Sequence, residues 1–185
     1  MSVLPAHLET ARMRLRPLRA HDVEAVLAYA VDREFGRFVA MPFPYRRADA
    51  EAFVARGVAT DWAIAPAWAI ERDGQVVGSI HLEVDPAQRR ARLGLGIARA
   101  HWRQGLGAEA ARAAVDWAFA TLPITRVYAT ADARDVAGQQ LLTALGMQHE
   151  ATLRLHRTQR RIQVDEVWYG LLRVEWSAAH AIEGR

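Results

Sequence analysis

Two glycines one residue apart, Gly105 and Gly107, stand inside the stretch RQGLGAEAARAAVDWAF, Arg103 to Phe119. Glycine admits positive φ and lets another molecule approach the backbone closely. The run that follows is helical by period, with Ala108, Ala111, Val115, Ala118, Phe119 and Leu122 at spacings of three and four. Pro123 stops it, and Glu109 suits its first turn through the helix dipole. Backbone N–H groups of a loop feeding a helix start have no intrahelical partner and point outward. Such a place binds anions, phosphates above all. A flexible loop before an ordinary core helix has the same pattern, so the rest of the chain must decide.

Much chemistry is excluded by composition. There is no cysteine, hence no disulfide, thiolate metal site or cysteine nucleophile. All 24 basic residues are arginine, which removes lysine Schiff-base chemistry. No G-x-x-x-x-G-K-[ST] occurs, and no G-x-G-x-x-G follows a parallel first strand, so neither a P-loop nor a Rossmann site is expected. His101 and His149 lack a metal-like partner spacing, so no metal is expected. His81 and Glu83 alternate along one stretch and share a face, where they could line a cleft or a solvated surface. The loop MPFPY, Met41 to Tyr45, with Trp62 and Trp68 fits a substrate wall or core packing equally well. Tyr128 and Tyr169 read as packing residues with a polar tip. Arg157, Arg160 and Arg161 read as a basic, solvated hairpin tip, with contact to an acidic protein or RNA as the functional alternative.

The elements that position these residues follow from pattern. With 185 residues, 51% hydrophobic and 24% charged, the chain is expected to fold as one domain over residues 1–176. No apolar run could span a bilayer and no signal peptide is visible, so a cytoplasmic protein is expected. The net charge of +3, with a pI near 9.9, is too modest to argue for nucleic acid. The final AIEGR reads as a protease-site scar from expression, so residues 177–185 are left as a tail. A first strand is expected at Ala11–Leu18, then a helix capped by Asp22, then a helix near Ala48–Arg56. Trp68–Arg72 and Gln75–Val84 flank Asp73-Gly74, the favoured two-residue hairpin turn. Arg90–Ala98 follows as a strand running into the glycine loop. After Pro123 come a strand at Arg126–Ala131 and a helix carrying Ala137, Leu141, Leu142 and Leu145, stopped by Gly146. Strands at Gln148–Arg157 and Gln163–Arg173 finish the domain. The order is β-α-α-β-β-β-α-β-α-β-β, an α+β fold with a mostly antiparallel sheet and helices on its faces.

That order, with the glycine loop between the fourth strand and third helix, resembles the GNAT acetyltransferase superfamily over about Thr10 to Trp176. Within it the chain is similar to the RimJ/RimL-type ribosomal-protein N-terminal acetyltransferases. The likeness is carried by TARMRLRPLRAHD, LGLGIARAHWRQGLGAEAARA, ARDVAGQQLLTALGM and HEATLRLHRTQRRIQVDEVWYGLLRVEW. The resemblance implies a central sheet splayed between strands four and five, at Leu93–Ala98 and Val127–Ala131. It implies acetyl-CoA as cosubstrate, with Arg103, Gln104, Gly105, Leu106, Gly107 and Ala108 around the pyrophosphate. Ile97 and Ala98 would supply backbone groups to pantetheine and the thioester carbonyl, where a donor N–H acts as an oxyanion hole. Asp135, in the place of the family's Asn, would face pantetheine or cap its helix.

The resemblance also implies a reaction. A primary amine, in the family most often a protein N-terminal α-amine, attacks the thioester, and Glu150 takes its proton directly or through water. A base is needed because an ammonium has no lone pair, and an α-amine with a pKa of about 8 demands little tuning. Glu150 also fits an exposed strand carboxylate. Beside Asp135, three more positions depart from the family. Arg92 stands where a Glu is often found, Gly138 where a Ser is assigned an acid role, and Ala151 where the E-G segment has its glycine. These departures keep open a non-catalytic CoA-binding module, beside acetylation of small-molecule amines. A ribosome- or RNA-docking role through the arginine cluster is a third alternative. Exposed strand edges could pair two subunits into a homodimer, which the sequence does not decide.

Overall fold

The Asp73-Gly74 turn has both residues at positive φ, 51° and 76°. That geometry twists with the strands it joins, and it pairs β3 (Ala67–Arg72) with β4 (Gln75–Asp85) from Arg72↔Gln75 outward. The structure, a computed structural model, describes residues 3–183. The remaining elements are β1 (Leu8–Glu9), β2 (Arg14–Pro17), α1 (Val23–Ala30), α2 (Arg47–Ala59), β5 (Arg90–Ile97), α3 (Leu106–Thr121), β6 (Arg126–Asp132), α4 (Val136–Ala144), β7 (Gln148–Gln159), β8 (Ile162–Leu172) and α5 (Arg173–Glu183). The strands form one sheet in the order β1-β2-β3-β4-β5-β6-β8-β7. All described pairings are antiparallel except β5 with β6.

Strand alternation sorts the two faces. Ile80 and Leu82 turn towards α3, whose Ala110, Ala111, Ala114, Val115, Ala118 and Phe119 are buried against the sheet. The run of alanines lets that helix lie close. Ser79 and His81 turn the other way, towards α1, where the Tyr29 hydroxyl donates to Ser79 Oγ at 3.2 Å. Val26, Tyr29, Ala50, Val54 and Phe35 make a second, smaller core on this face.

Several expectations need correction. Trp62 and Trp68 line no cleft; with Trp117 they form an edge-to-face cluster in the α3-side core, with centroids 4.8 to 5.9 Å apart. Asp22 stands at the start of α1 but does not cap it with its side chain. Its carboxylate, 2% exposed, accepts both forks of Arg16 at 2.9 and 2.8 Å and the Arg19 N–H at 2.8 Å. A buried carboxylate needs such a counter-charge more than a helix needs a cap. The last strand ends at Leu172, not Arg173, and α5 follows. The Trp176 ring packs 5.3 Å from Phe119 and its indole N–H donates to Asp116 at 2.6 Å. Arg173 donates to the carbonyls of Phe119, Leu122 and Ile124, at the C-terminal end of α3 where a cation is favoured. The helix includes Ala181–Glu183 of AIEGR; Gly184 and Arg185 lie outside the described residues.

Candidate active site

The site starts from a pairing that stops. β5 and β6 are in register for only three pairs, Arg90↔Arg126, Ala91↔Val127 and Arg92↔Tyr128. Beyond them β5 runs on to Ile97 and β6 to Asp132 without pairing to each other. The expected splay is therefore present, and ladder geometry says what it exposes. Ala98 N–H donates to the Val77 carbonyl on β4 at 2.7 Å. Because donors alternate along a strand, Leu93, Leu95 and Ile97 aim their N–H groups away from β4; that of Leu93 completes the last rung with Tyr128, and those of Leu95 and Ile97 enter the split. Ile97 thus faces the split as expected, while the Ala98 N–H is already engaged by the sheet. The Trp102 indole N–H donates to the Ile97 carbonyl at 2.6 Å and closes the far end.

The glycine loop adjoins that end. Arg103 and Gly105 have φ of 58° and 75°, and Gly105 is the N-cap of the 16-residue helix α3. No side chain caps it. The first N–H with a backbone acceptor is that of Glu109, which donates to the Gly105 carbonyl. Among the described residues, no protein acceptor takes the N–H groups of Arg103, Gln104, Gly105, Leu106, Gly107 or Ala108. The two glycines differ in purpose. Gly105 supplies the left-handed turn. A Cβ at Gly107 would lie 2.8 Å from Leu141 Cδ1 and 3.4 Å from Leu95 Cδ2, so this residue lets α4 and β5 pack against the helix start. Leu106, 1% exposed, pins the loop from below. Arg12, which lies in the segment TARMRLRPLRAHD and takes no role from the resemblance, braces it from the side. Its Nη1 donates to the Gln104 carbonyl and its Nε to Glu109, both at 2.7 Å. Arg72 holds the Gln104 side chain at 2.7 Å. Burial opposes ionisation of Glu109, but bonds from Thr10 and Arg12 keep its carboxyl below the ordinary value. A row of unengaged N–H groups at a helix start, with Arg103 exposed beside it, fits a diphosphate.

On the α1 side the split opens into a cavity of about 400 Å³. Its floor is Leu93–Gly96 of β5 and Ala129–Ala131 of β6; its walls come from α1, α2, α4 and the loop near Met41. Two glycines of LGLGI make the space. A Cβ at Gly94 would lie 2.3 Å from the His81 ring, and one at Gly96 2.7 Å from the Phe35 ring. Glycines spaced by two inside a strand signal a close approach on one face; that signal stands in the sequence and locates His81. Asp135 caps α4, accepting the Gly138 N–H at 2.9 Å. A Cβ at Gly138 would sit 2.4 Å from the same carboxylate. The Asp135 and Gly138 departures therefore belong together: the folded-over cap leaves no room for a serine.

Glu150, expected as the base, lies elsewhere. It sits on β7 beside Gly170, both oxygens held by the Arg126 fork, and is not among the residues lining the cavity. The Arg126 hydrogen bonds hold its carboxyl below the ordinary value, which makes it a weaker base. Arg92 likewise forks onto Glu83 at 3.0 and 2.6 Å.

Of the arginines expected at a solvated hairpin tip, Arg157, Arg160 and Arg161, only Arg161 is exposed. Arg157 donates to the Phe38 carbonyl, Arg160 to the Arg33 carbonyl, and the buried Gln159 amide to the Val39 carbonyl at 2.8 Å. The tip straps the loop that walls the cavity. Nothing in the sequence pairs Gln159 with a loop about 120 residues earlier.

Comparison with known proteins agrees with this geometry. The family model for the acetyltransferase (GNAT) domain matches residues 12–148. The uncharacterized N-acetyltransferase YoaA of Bacillus subtilis (strain 168) is 28% identical over 178 residues, covering 90% of this chain and 96% of YoaA. A crystal structure assigned as an acetyltransferase from T. thermophilus superposes with a TM-score of 0.82 at 27% identity, covering 98% of this chain and 96% of that one. RimL, a ribosomal L7/L12 α-N-protein acetyltransferase solved with coenzyme A, shares the fold with a TM-score of 0.83 at 12% identity, covering 90% of this chain and 98% of RimL. The chain, with its splayed sheet and N–H-lined loop, belongs to the GNAT acetyltransferase family.

Proposed function

We propose that the protein transfers the acetyl group of acetyl-CoA to a primary amine. One observation carries this reading. A split with inward N–H groups at Leu95 and Ile97 joins a loop of unengaged N–H groups at one end and a half-open cavity at the other. Acetyl-CoA, when bound, supplies an acyl carbon with a thiolate leaving group. The chain's own residues do the rest. The N–H groups of Arg103–Ala108, with the Arg103 guanidinium, hold the diphosphate. The strand N–H groups bond the pantetheine amides and the acyl oxygen, where a preorganised donor acts most on developing charge. The cavity walls exclude water and orient the amine, which supplies much of the rate through proximity.

For the acceptor, the α-amine of a protein N-terminus is the first reading. RimL, by its name, acts on such a group. A small-molecule amine is the second, favoured by the strap of Gln159, Arg157 and Arg160, which makes the wall a roof rather than an open groove. Calorimetry with acetyl-CoA tests the cosubstrate. Wild type is expected to bind in the micromolar range. Gly105→Val, checked as folded by its melting curve, is expected to bind roughly tenfold more weakly, the worth of one bond to a charged group. Absence of binding by folded wild type would sink the reading. Release of free thiol with Ala- and Ser-initiated peptides, against tyramine and spermidine, then separates the two acceptor classes.

A further inference from the structure

We propose that the imidazole of His81 takes the proton from the acceptor amine. The inference rests on the acetyl-transfer reading above. His81 pairs directly with Gly94 across β4 and β5, and its ring lies over that glycine, within the space a Cβ would fill. Gly94 is two residues past Arg92, the last β5 residue paired with β6. The ring therefore stands at the mouth of the split, between Leu93, whose N–H completes the last β5–β6 rung, and Leu95, whose N–H enters the split.

The other titratable groups of the cavity are each committed or of the wrong kind. Asp135 caps α4. Asp49, on α2, accepts the Arg46 N–H at 2.8 Å. Tyr29 and Tyr45 have phenols pushed up by burial, so they are proton donors at neutral pH. Arg56, Arg92 and Arg157 carry guanidinium groups, which are donors only. Among the described residues, no hydrogen bond engages either ring nitrogen of His81; the nearest acid, Glu83, is 3.8 Å away. That carboxylate is held by the Arg92 fork and so pulls little on the imidazole. The side chain is 36% exposed, towards the cavity; its partial burial pushes the imidazole down from its ordinary value, Glu83 opposes this and Arg92 adds to it. The ring is then neutral at pH 7, with a lone pair free to act.

Atoms and electrons balance in the step. The amine nitrogen's lone pair forms the C–N bond while the acyl C–S bond breaks and sulfur leaves as thiolate. The proton shed by nitrogen passes to the free ring nitrogen of His81, and the imidazolium returns it to water or to the departing thiolate.

Two measurements test this, one without turnover. Among the seven histidines, the His81 ring signal is identified by its loss in His81→Gln. In the free protein it is expected to titrate below the ordinary value of about 6.5; a midpoint at or above about 7 overturns the assignment. Kinetically, His81→Gln is expected to lose roughly 10²- to 10⁴-fold in kcat/KM at pH 7 with acetyl-CoA affinity unchanged. Its profile should change form as well. Both profiles should climb about tenfold per unit as free amine accumulates towards about pH 8, but only wild type should steepen further in acid, where the His81 ring takes up its proton. Added imidazole should restore part of the turnover in His81→Ala. A variant within about threefold of wild type, with the same profile, overturns the assignment, and so does equal loss of acetyl-CoA binding. Should neither variant fold, the His81 signal is identified instead by its through-space contact with the Gly94 α-protons, and the wild-type midpoint still decides. Wild type inactive on every amine overturns the acetyl-transfer reading itself, which variant activity alone would not.

Discussion

The two ends of the β5–β6 pair are built from the same strands and behave as opposites. At the closed end, the register Arg90–Arg92 against Arg126–Tyr128 is zipped, and its charges are matched. Arg90 pairs with Asp85, Arg92 with Glu83, Arg126 with Glu150, while Tyr128 stacks on Trp168 with centroids 5.5 Å apart. At the open end, a few residues further on, the floor is glycine, leucine and alanine, the N–H groups lack strand partners and the one basic ring has no hydrogen bond among the described residues. An ion pair lowers the basicity of its carboxylate, whereas burial without a partner keeps an imidazole neutral. Reactivity is therefore expected where pairing stops, and a carboxylate at the closed end is a poor candidate however well it matches a motif.

After loss of the His81 ring itself, the most damaging change to the open end should be a very small one. Gly94→Ala places a methyl 2.3 Å from the His81 ring, which must swing away. Displacing a reacting group by about 1 Å can cost roughly 100-fold, so kcat/KM should fall by about that factor while acetyl-CoA affinity holds. Full activity in Gly94→Ala would mean the ring's position is irrelevant and would erase the contrast between the ends.

A smaller effect should come from the roof. Gln159→Leu removes the donor to the Val39 carbonyl and leaves that region short of a partner. A stranded buried acceptor costs about 1–3 kcal/mol, visible as a lower denaturation midpoint. The wall loop should also loosen, so KM for the acceptor should rise more than kcat falls. An unchanged acceptor KM would show that the strap stabilises the fold without shaping the open end.

How much of this is legible in the sequence depends on the distance over which each cause acts. The Asp73-Gly74 turn, the α3 stripe and the Gly146 stop are local signals, and the structure has each where the pattern puts it. Alternation correctly puts His81 and Glu83 on one face. It does not say which of them meets a cavity, because that depends on Arg92 of the next strand neutralising Glu83. The Arg126–Glu150 pair joins residues 24 apart in sequence and leaves no local trace. The helix α5 escapes pattern reading although its period is amphipathic, because its first residue reads as the end of a strand and its last ones as an expression scar; Trp176 is its principal anchor against α3. Gly94 and Gly96 do mark a close approach in the sequence, yet strand glycines look like weakness until the ring that needs the space is known.

The mildest perturbation belongs to the closed end and tests the contrast from the opposite side. Glu150→Gln keeps the shape of the side chain and removes its charge. If the closed end is inert, turnover should stay within about twofold of wild type, against the roughly 10²-fold loss expected of a general base. Stability should fall by no more than about 1 kcal/mol, because the pair with Arg126 is part-exposed. The pH dependence has a fixed sign. The folded-state pKa of Glu150 lies below its unfolded value of about 4.3. Its stabilisation is therefore complete above that pH and is lost as pH falls through the depressed folded value. Wild type and Glu150→Gln should differ slightly at pH 7 and converge in acid. A variant that instead loses activity across the whole neutral range, with its melting curve unchanged, would return the proton-accepting role to the closed end and leave His81 a spectator.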